Sequence, residues 1–338
     1  MKKTTAILLF LAAVLGLPSA LQAGEPMFQW KAATLAPRGV GWAVQVEELV
    51  FPALDRFTDG NLKVKVYWGG ILGDDEDILR KMRERTLQVA GFTAQGSVMA
   101  CKEFAVLELP FLFRSFEEVD HVRRKMAAEF GRLMEQSGFH LIMWIDQDFD
   151  QLYSTRFPLN SLADFSGATF LSWAGPLEVQ VLKQLGAKVV TGDIPDISRA
   201  IKGGEADALL APAIWIVGTQ MHSVTRFVNP MKLRYSPATI VFTLESWNLL
   251  PDDYKARIEA GNVEVTEKFV AATRLDRDKY LKAMTDYGVK MVHTGPEAEK
   301  AMEARTAEVA RAMTGILYPA PLLEEVRGLL AAYRAGAR

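Results

Sequence analysis

A chain of 338 residues with a formal net charge of −2 and 24% charged residues has the composition of a globular protein, not of a filament or a disordered tail. Such a balance gives no electrostatic hold on nucleic acid. The single cysteine, Cys101, excludes an intramolecular disulfide and reads as a buried, inert thiol.

Lys2 and Lys3 precede an apolar run from Ala6 to Leu17, ended by Pro18, and a cut is expected after Ala23. The run is shorter than the roughly 20 apolar residues of a bilayer span. It therefore reads as a secretory signal peptide, residues 1–23, although Leu21 is larger than the ideal residue at its position. The mature chain is then periplasmic. About 315 residues remain, enough for two lobes at roughly 100–200 residues per domain.

Residues 28–35 form a first predicted strand. After Gly41, Trp42, Val46, Leu49, Val50 and Phe57 recur at helical spacing, with a kink expected at Pro52. Residues 58–61 turn the chain. Leu62, Val64, Val66 and Trp68 then alternate with Lys63, Lys65 and Tyr67, the signature of a half-buried strand. GGILGDD supplies turn glycines and puts Asp74 and Asp75 at a helix N-terminus, where negative charge is favoured. Residues 89–93 form a third strand.

The second half repeats this logic, with strands at 141–145 and 168–172, a helix at 177–185, and further elements at 188–190, 197–202 and 208–210. Alternating strands and helices predict an α/β fold with sheets covered on both faces. Residues 252–287 stay helical with only Gly261 interrupting, long enough to cross both lobes. Helices at 296–315 and 321–335 close the chain.

Enzyme motifs are absent from the sequence. His121, His140, His222 and His293 are scattered, and no HExxH, GxSxG, GxGxxG or Walker loop occurs. No metal, cofactor or catalytic residue is assigned. The best enzyme alternative is a periplasmic hydrolase using the carboxylates between Asp146 and Asp150, but no nucleophile accompanies them.

Residues 107–116, LELPFLFRSF, are an apolar run broken by one proline and carrying Glu108 and Arg114. In order around it stand LGDDEDILRKM, SLADFSGATF, LGAKVV, GGEADALLAP and the long C-terminal helix. Together these resemble the substrate-binding proteins of tripartite ATP-independent periplasmic (TRAP) transporters, of the DctP type. The resemblance implies a two-lobed periplasmic-binding-protein fold with hinge strands and a long helix crossing both lobes. Lobe I is expected at 24–147 plus 237–276, and lobe II at 148–236 plus 277–338. The implied function is capture of a small molecule between closing lobes and its delivery to membrane permease subunits. A ligand-sensing partner of a membrane receptor is the other role the same fold can serve.

The family holds organic acids with an arginine and an asparagine, whose positions here are Leu171 and Ala211. A second arginine used by some members falls at Asp150, within one residue. A carboxylate in a closed cleft needs charged, bidentate partners, which these residues cannot supply. Asp146, Asp148 and Asp150 either repel anions from the cleft edge or form a solvated face. Arg38 is either a substitute acid clamp or an exposed loop residue. Phe149, Leu171, Trp173, Ile194 and Trp215 fall at or beside ligand-facing positions, and are either cleft wall or ordinary core. The sequence thus predicts a neutral, aromatic or lipid-like ligand, with Asp150, Thr93 or Asp74 supplying one or two hydrogen bonds. An organic acid held by a relocated cation is the alternative.

Overall fold

The structure, a computed structural model, describes residues 26–192 and 194–336. The leader expected at 1–23 and the side chain of Ile194 lie outside what is described.

Among the described residues, nine strands form one sheet: β1 (Phe28–Thr34), β2 (Leu62–Tyr67), β3 (Val89–Phe92), β4 (Phe139–Ser154), β5 (Thr169–Ser172), β6 (Lys188–Thr191), β7 (Ala208–Ala211), β8 (Phe227–Thr243) and β9 (Lys290–Met291). Their order is β2-β1-β3-β8-β4-β7-β5-β6, with β9 beside β8. The short parallel strands separate into two groups, β1 to β3 and β5 to β7. Only β4 and β8, antiparallel to each other, run through both groups. They are the hinge strands, and sequence reasoning found just residues 141–145 of them.

Periodicity failed there for a physical reason. β4 carries Asp146, Asp148 and Asp150 inside a buried stretch, and β8 carries Pro230, Arg234 and Pro237. The prolines lack a donor for the ladder, and Pro237 sits opposite Asp146, where the register shifts before Asp148. Strands that satisfy buried charge with buried charge have no apolar alternation to read.

Helices cover both faces. The segment after Gly41 is helical through Trp42–Gln45, a π-helical turn at Val46–Val50 and Phe51–Phe57. Pro52 lies at the start of that last piece, and its missing N–H accompanies the widened turn before it. Asp252–Tyr287 is one helix of 36 residues, roughly 54 Å at 1.5 Å per residue. Ile258, Val265 and Phe269 enter the core of the first lobe, whereas Leu281 and Met284 enter that of the second. Gly261 is required within it because a Cβ there would run into the Phe57 ring.

LELPFLFRSF ends a 3-10 turn, Lys102–Glu108, and leads to the Phe116–Gln136 helix, which Ser115 caps by accepting from the Glu118 amide. Phe111 adopts a positive φ of 55° so that its amide can donate to the Leu233 carbonyl of β8. The run thus pins the hinge strand. The final helix, Ala320–Gly336, packs on the Phe116–Gln136 helix. Arg334 there pairs with Glu118 at 2.7 Å and donates to the Leu112 carbonyl.

Candidate functional site

A cavity of about 570 Å³ opens where the two lobes meet and extends into the first. That volume is ordinary for a small-molecule site, where roughly 300–1,000 Å³ is usual. Its sheet wall follows from strand alternation. Ala32 of β1 pairs with Val66 of β2 and Val89 of β3, and Val89 pairs with Phe242 of β8, which puts all four on one face. The opposite wall is helical, with Trp42, Val46, Val50 and Leu54 presented by the π-containing segment. Val46, Val64 and Val66 remain only half-buried because they face this space and not packed neighbours. From the second lobe come Trp173, Ile214 and Trp215, the two indoles stacked with centroids 6.3 Å apart.

Asp74 is the one ionisable side chain among the described lining residues. It is also a helix cap, accepting from the Asp77 amide at 3.0 Å. Thr93 lines the cavity too, but caps the Ala94–Ala100 helix and donates to buried Asp75. Burial pushes the Asp75 carboxyl up to about 6 against those hydrogen bonds. Trp173 donates to the Leu210 carbonyl at 3.2 Å. Of the residues expected near ligand, then, Asp74, Thr93, Trp173 and Trp215 come together at this space.

The others lie elsewhere. Leu171 and Ala211 are packed in the second-lobe core. Phe149 is buried between Phe116 and Tyr235. Arg38 is exposed and faces Glu47 at 3.6 Å, as a loop arginine does when no buried anion recruits it. Asp150, expected to hydrogen-bond the ligand, accepts instead from Arg234 and from Ser236 at 2.6 Å.

Neither reading of the three aspartates describes what β4 does with them. All are buried and each meets an arginine. Asp146 accepts from Arg123 and from Arg274 at 2.7 Å, with Tyr235 Oη also at 2.7 Å. Asp148 lies 3.1 Å from Arg277 and accepts from Gln151 at 3.0 Å, and burial pushes its carboxyl up to about 7. Arg234 is shared by Asp150, Glu108 and Glu178, the latter two at 3.0 Å. One guanidinium cannot balance three buried anions, and burial raises the Glu108 carboxyl to about 8 and Glu178 in the same direction. These arginines are committed to the protein's own carboxylates.

Sequence reasoning missed Gln147 and Trp42, both of which line the cavity. Gln147 is buried and accepts from the Ala94 amide at 2.9 Å through its carbonyl oxygen. The Trp42 Nε1 is buried with no hydrogen-bond partner among the described residues. The only available signal was the uncharged residue between Asp146 and Asp148.

The family described as bacterial extracellular solute-binding protein, family 7, matches residues 48–315. The chain belongs to that family. The C4-dicarboxylate-binding periplasmic protein DctP of Rhodobacter capsulatus is 23% identical to this family 7 receptor over 270 residues, 78% of either chain. The 2,3-diketo-L-gulonate-binding periplasmic protein YiaO of Escherichia coli is 21% identical, covering 71% of the receptor and 73% of YiaO. Among solved structures, a TRAP periplasmic solute binding protein from Ochrobactrum anthropi matches with a TM-score of 0.82 at 22% identity, over 92% of the receptor and 97% of that chain. The sugar acid binding protein DctPAm of Advenella mimigardefordensis, in complex with galactonate, matches at 0.83 and 17% identity, over 91% and 99%. At these identities the solved structures establish the fold. The TRAP resemblance read from LELPFLFRSF and its flanking motifs is borne out, and the family is one of transport receptors, not enzymes.

Proposed function

We propose that this receptor captures an uncharged, largely apolar solute, aromatic or lipid-like, in the periplasm and hands it to the membrane permease subunits of a TRAP transporter. The observation that carries this reading is the wall of the cavity: Asp74 is its one ionisable residue among those described, and an anion. An acid entering there loses hydration and meets no guanidinium among the described lining residues, and Arg123, Arg234, Arg274 and Arg277 each face a carboxylate. The printed names of the relatives favour the other reading, an organic-acid receptor with its cation relocated. That reading needs one of these arginines released from its partner.

Closure bends the molecule where residues 24–147 plus 237–276 give way to 148–236 plus 277–338. The register shift between Asp146 and Asp148 lies at that point on β4. Residues 1–23 direct export. Native mass spectrometry of protein purified from its own host, followed by extraction, tests the ligand class. A co-purifying hydrophobic molecule is expected, and a dicarboxylate or sugar acid held in its place would overturn the apolar reading.

A further inference from the structure

The cavity continues past the lobe junction into the first lobe, between the helical segment after Gly41 and the sheet. Val46, Val50 and Leu54 close this depth on one side, and Val66, Ile240 and Phe242 on the other. Of the polar lining residues, Asp74 and Thr93 follow the C-terminal ends of β2 and β3, at the cleft end, and are spent as helix caps, while Thr34 Oγ1 accepts from the Ala36 amide and Thr239 Oγ1 shares a hydrogen bond with Ser97. Water in the apolar depth lacks the two to four polar partners that hold a buried water in place. An alkyl chain displaces it favourably.

Nearer the junction stand two donors without acceptors. Gln147 is 5% exposed, its carbonyl oxygen is taken by Ala94, and its amide nitrogen has no protein acceptor among the described residues. Trp42 Nε1 is buried and equally unpartnered among them. Both residues also border a second, water-sized void of about 10 Å³, so they are neighbours. Asp148, Asp276 and Arg277 line the same void, and the Arg277 guanidinium is held 3.1 Å from the Asp148 carboxylate. The two neutral donors beside that ion pair suit a hydroxyl or carbonyl oxygen, whereas a carboxylate asks for charge-assisted partners and would compete with Asp148 for Arg277.

We propose that the depth holds the alkyl tail of an uncharged, single-headed lipid whose hydroxyl or carbonyl oxygen accepts from Trp42 and Gln147. The assignment rests on the apolar reading of the receptor given above and adds the tail's place and the head's chemistry. The tail lies inside the first lobe, and the head sits at the junction where the second lobe closes over it with Trp173 and Trp215.

The test is a chain-length series of 1-alkanols and matched alkanoates, measured by displacement of N-phenyl-1-naphthylamine from the purified mature protein. Alkanol affinity is expected to tighten about fourfold per methylene until the depth is filled, and then to level off. The alkanoate of equal length should bind at least about tenfold more weakly than the alkanol. Val66→Phe, which projects into the void, should shorten the chain length at which affinity levels off. Gln147→Leu should weaken every alkanol about two- to tenfold. If either variant fails to fold, the wild-type series decides alone. Displacement by alkanols with no dependence on chain length, or alkanoates binding the tighter, would overturn this assignment while leaving an apolar receptor standing. Binding of succinate with no alkanol binding at all would remove both.

Discussion

At the scale of single residues, the charge on this protein that matters most is hidden. Arg234 serves Glu108, Asp150 and Glu178 inside a region from which water is excluded. Removing a cation from such a cluster leaves carboxylates unpaired, so Arg234→Met should cost roughly 3–5 kcal/mol of stability, read as a lower urea midpoint. The cluster also makes stability depend on pH. The Glu108 carboxyl, raised by burial from 4.5 to about 8 against the pull of Arg234, keeps in the folded state a proton that the unfolded chain releases. Its contribution is complete below about pH 4.5 and is lost as pH rises through about 8, at up to about 1.4 kcal/mol per pH unit. Unfolding free energy should therefore fall between about pH 5 and 8, and Glu108→Gln should flatten that slope, both measured by urea titration. Glu108 stood out in the sequence as a flank of LELPFLFRSF, and Asp150 as a candidate ligand contact. Their meeting at Arg234 was illegible, because Arg234 lies 126 and 84 positions away from them and nothing local marks it as a partner.

At the scale of elements, alternation and helical spacing identified what is exposed on one side and apolar on the other. The β2 pattern predicted the strand, whose Val64 and Val66 the structure places in the wall of the cavity. The 252–287 helix was read to its ends because Pro251 precedes it and Gly288, in the left-handed region, terminates it. Its glycine has a tertiary cause that the sequence could not reveal: Gly261 lies against Phe57. Gly261→Val should push the helix from Phe51–Phe57 and cost about 1–3 kcal/mol, despite the better helix propensity of valine, as thermal or urea unfolding would report. β8 escaped detection because its prolines and arginine break the strand rules, which presume a backbone donor at each residue and an apolar interior.

At the scale of the whole molecule, the two lobes touch. Gly41 of the first lobe has a φ of 47° and sits against Ile214 of the second, with Tyr280 beside them. A side chain at Gly41 would collide with Ile214, so Gly41→Val should hold the lobes apart. Small-angle scattering with saturating dodecanol should give a larger radius of gyration for the variant than for the wild type, together with weaker dodecanol binding. By itself the sequence determined the α/β class and the receptor family, because these reside in local periodicity and in ordered motifs. Only the tertiary structure decided that the three β4 aspartates are neutralised from within, that Leu171, Ala211 and Phe149 are core, and that Trp42 and Gln147 border the open space. Burial and charge compensation are properties of pairs far apart in the chain, and a linear pattern carries the partners without saying which of them meet.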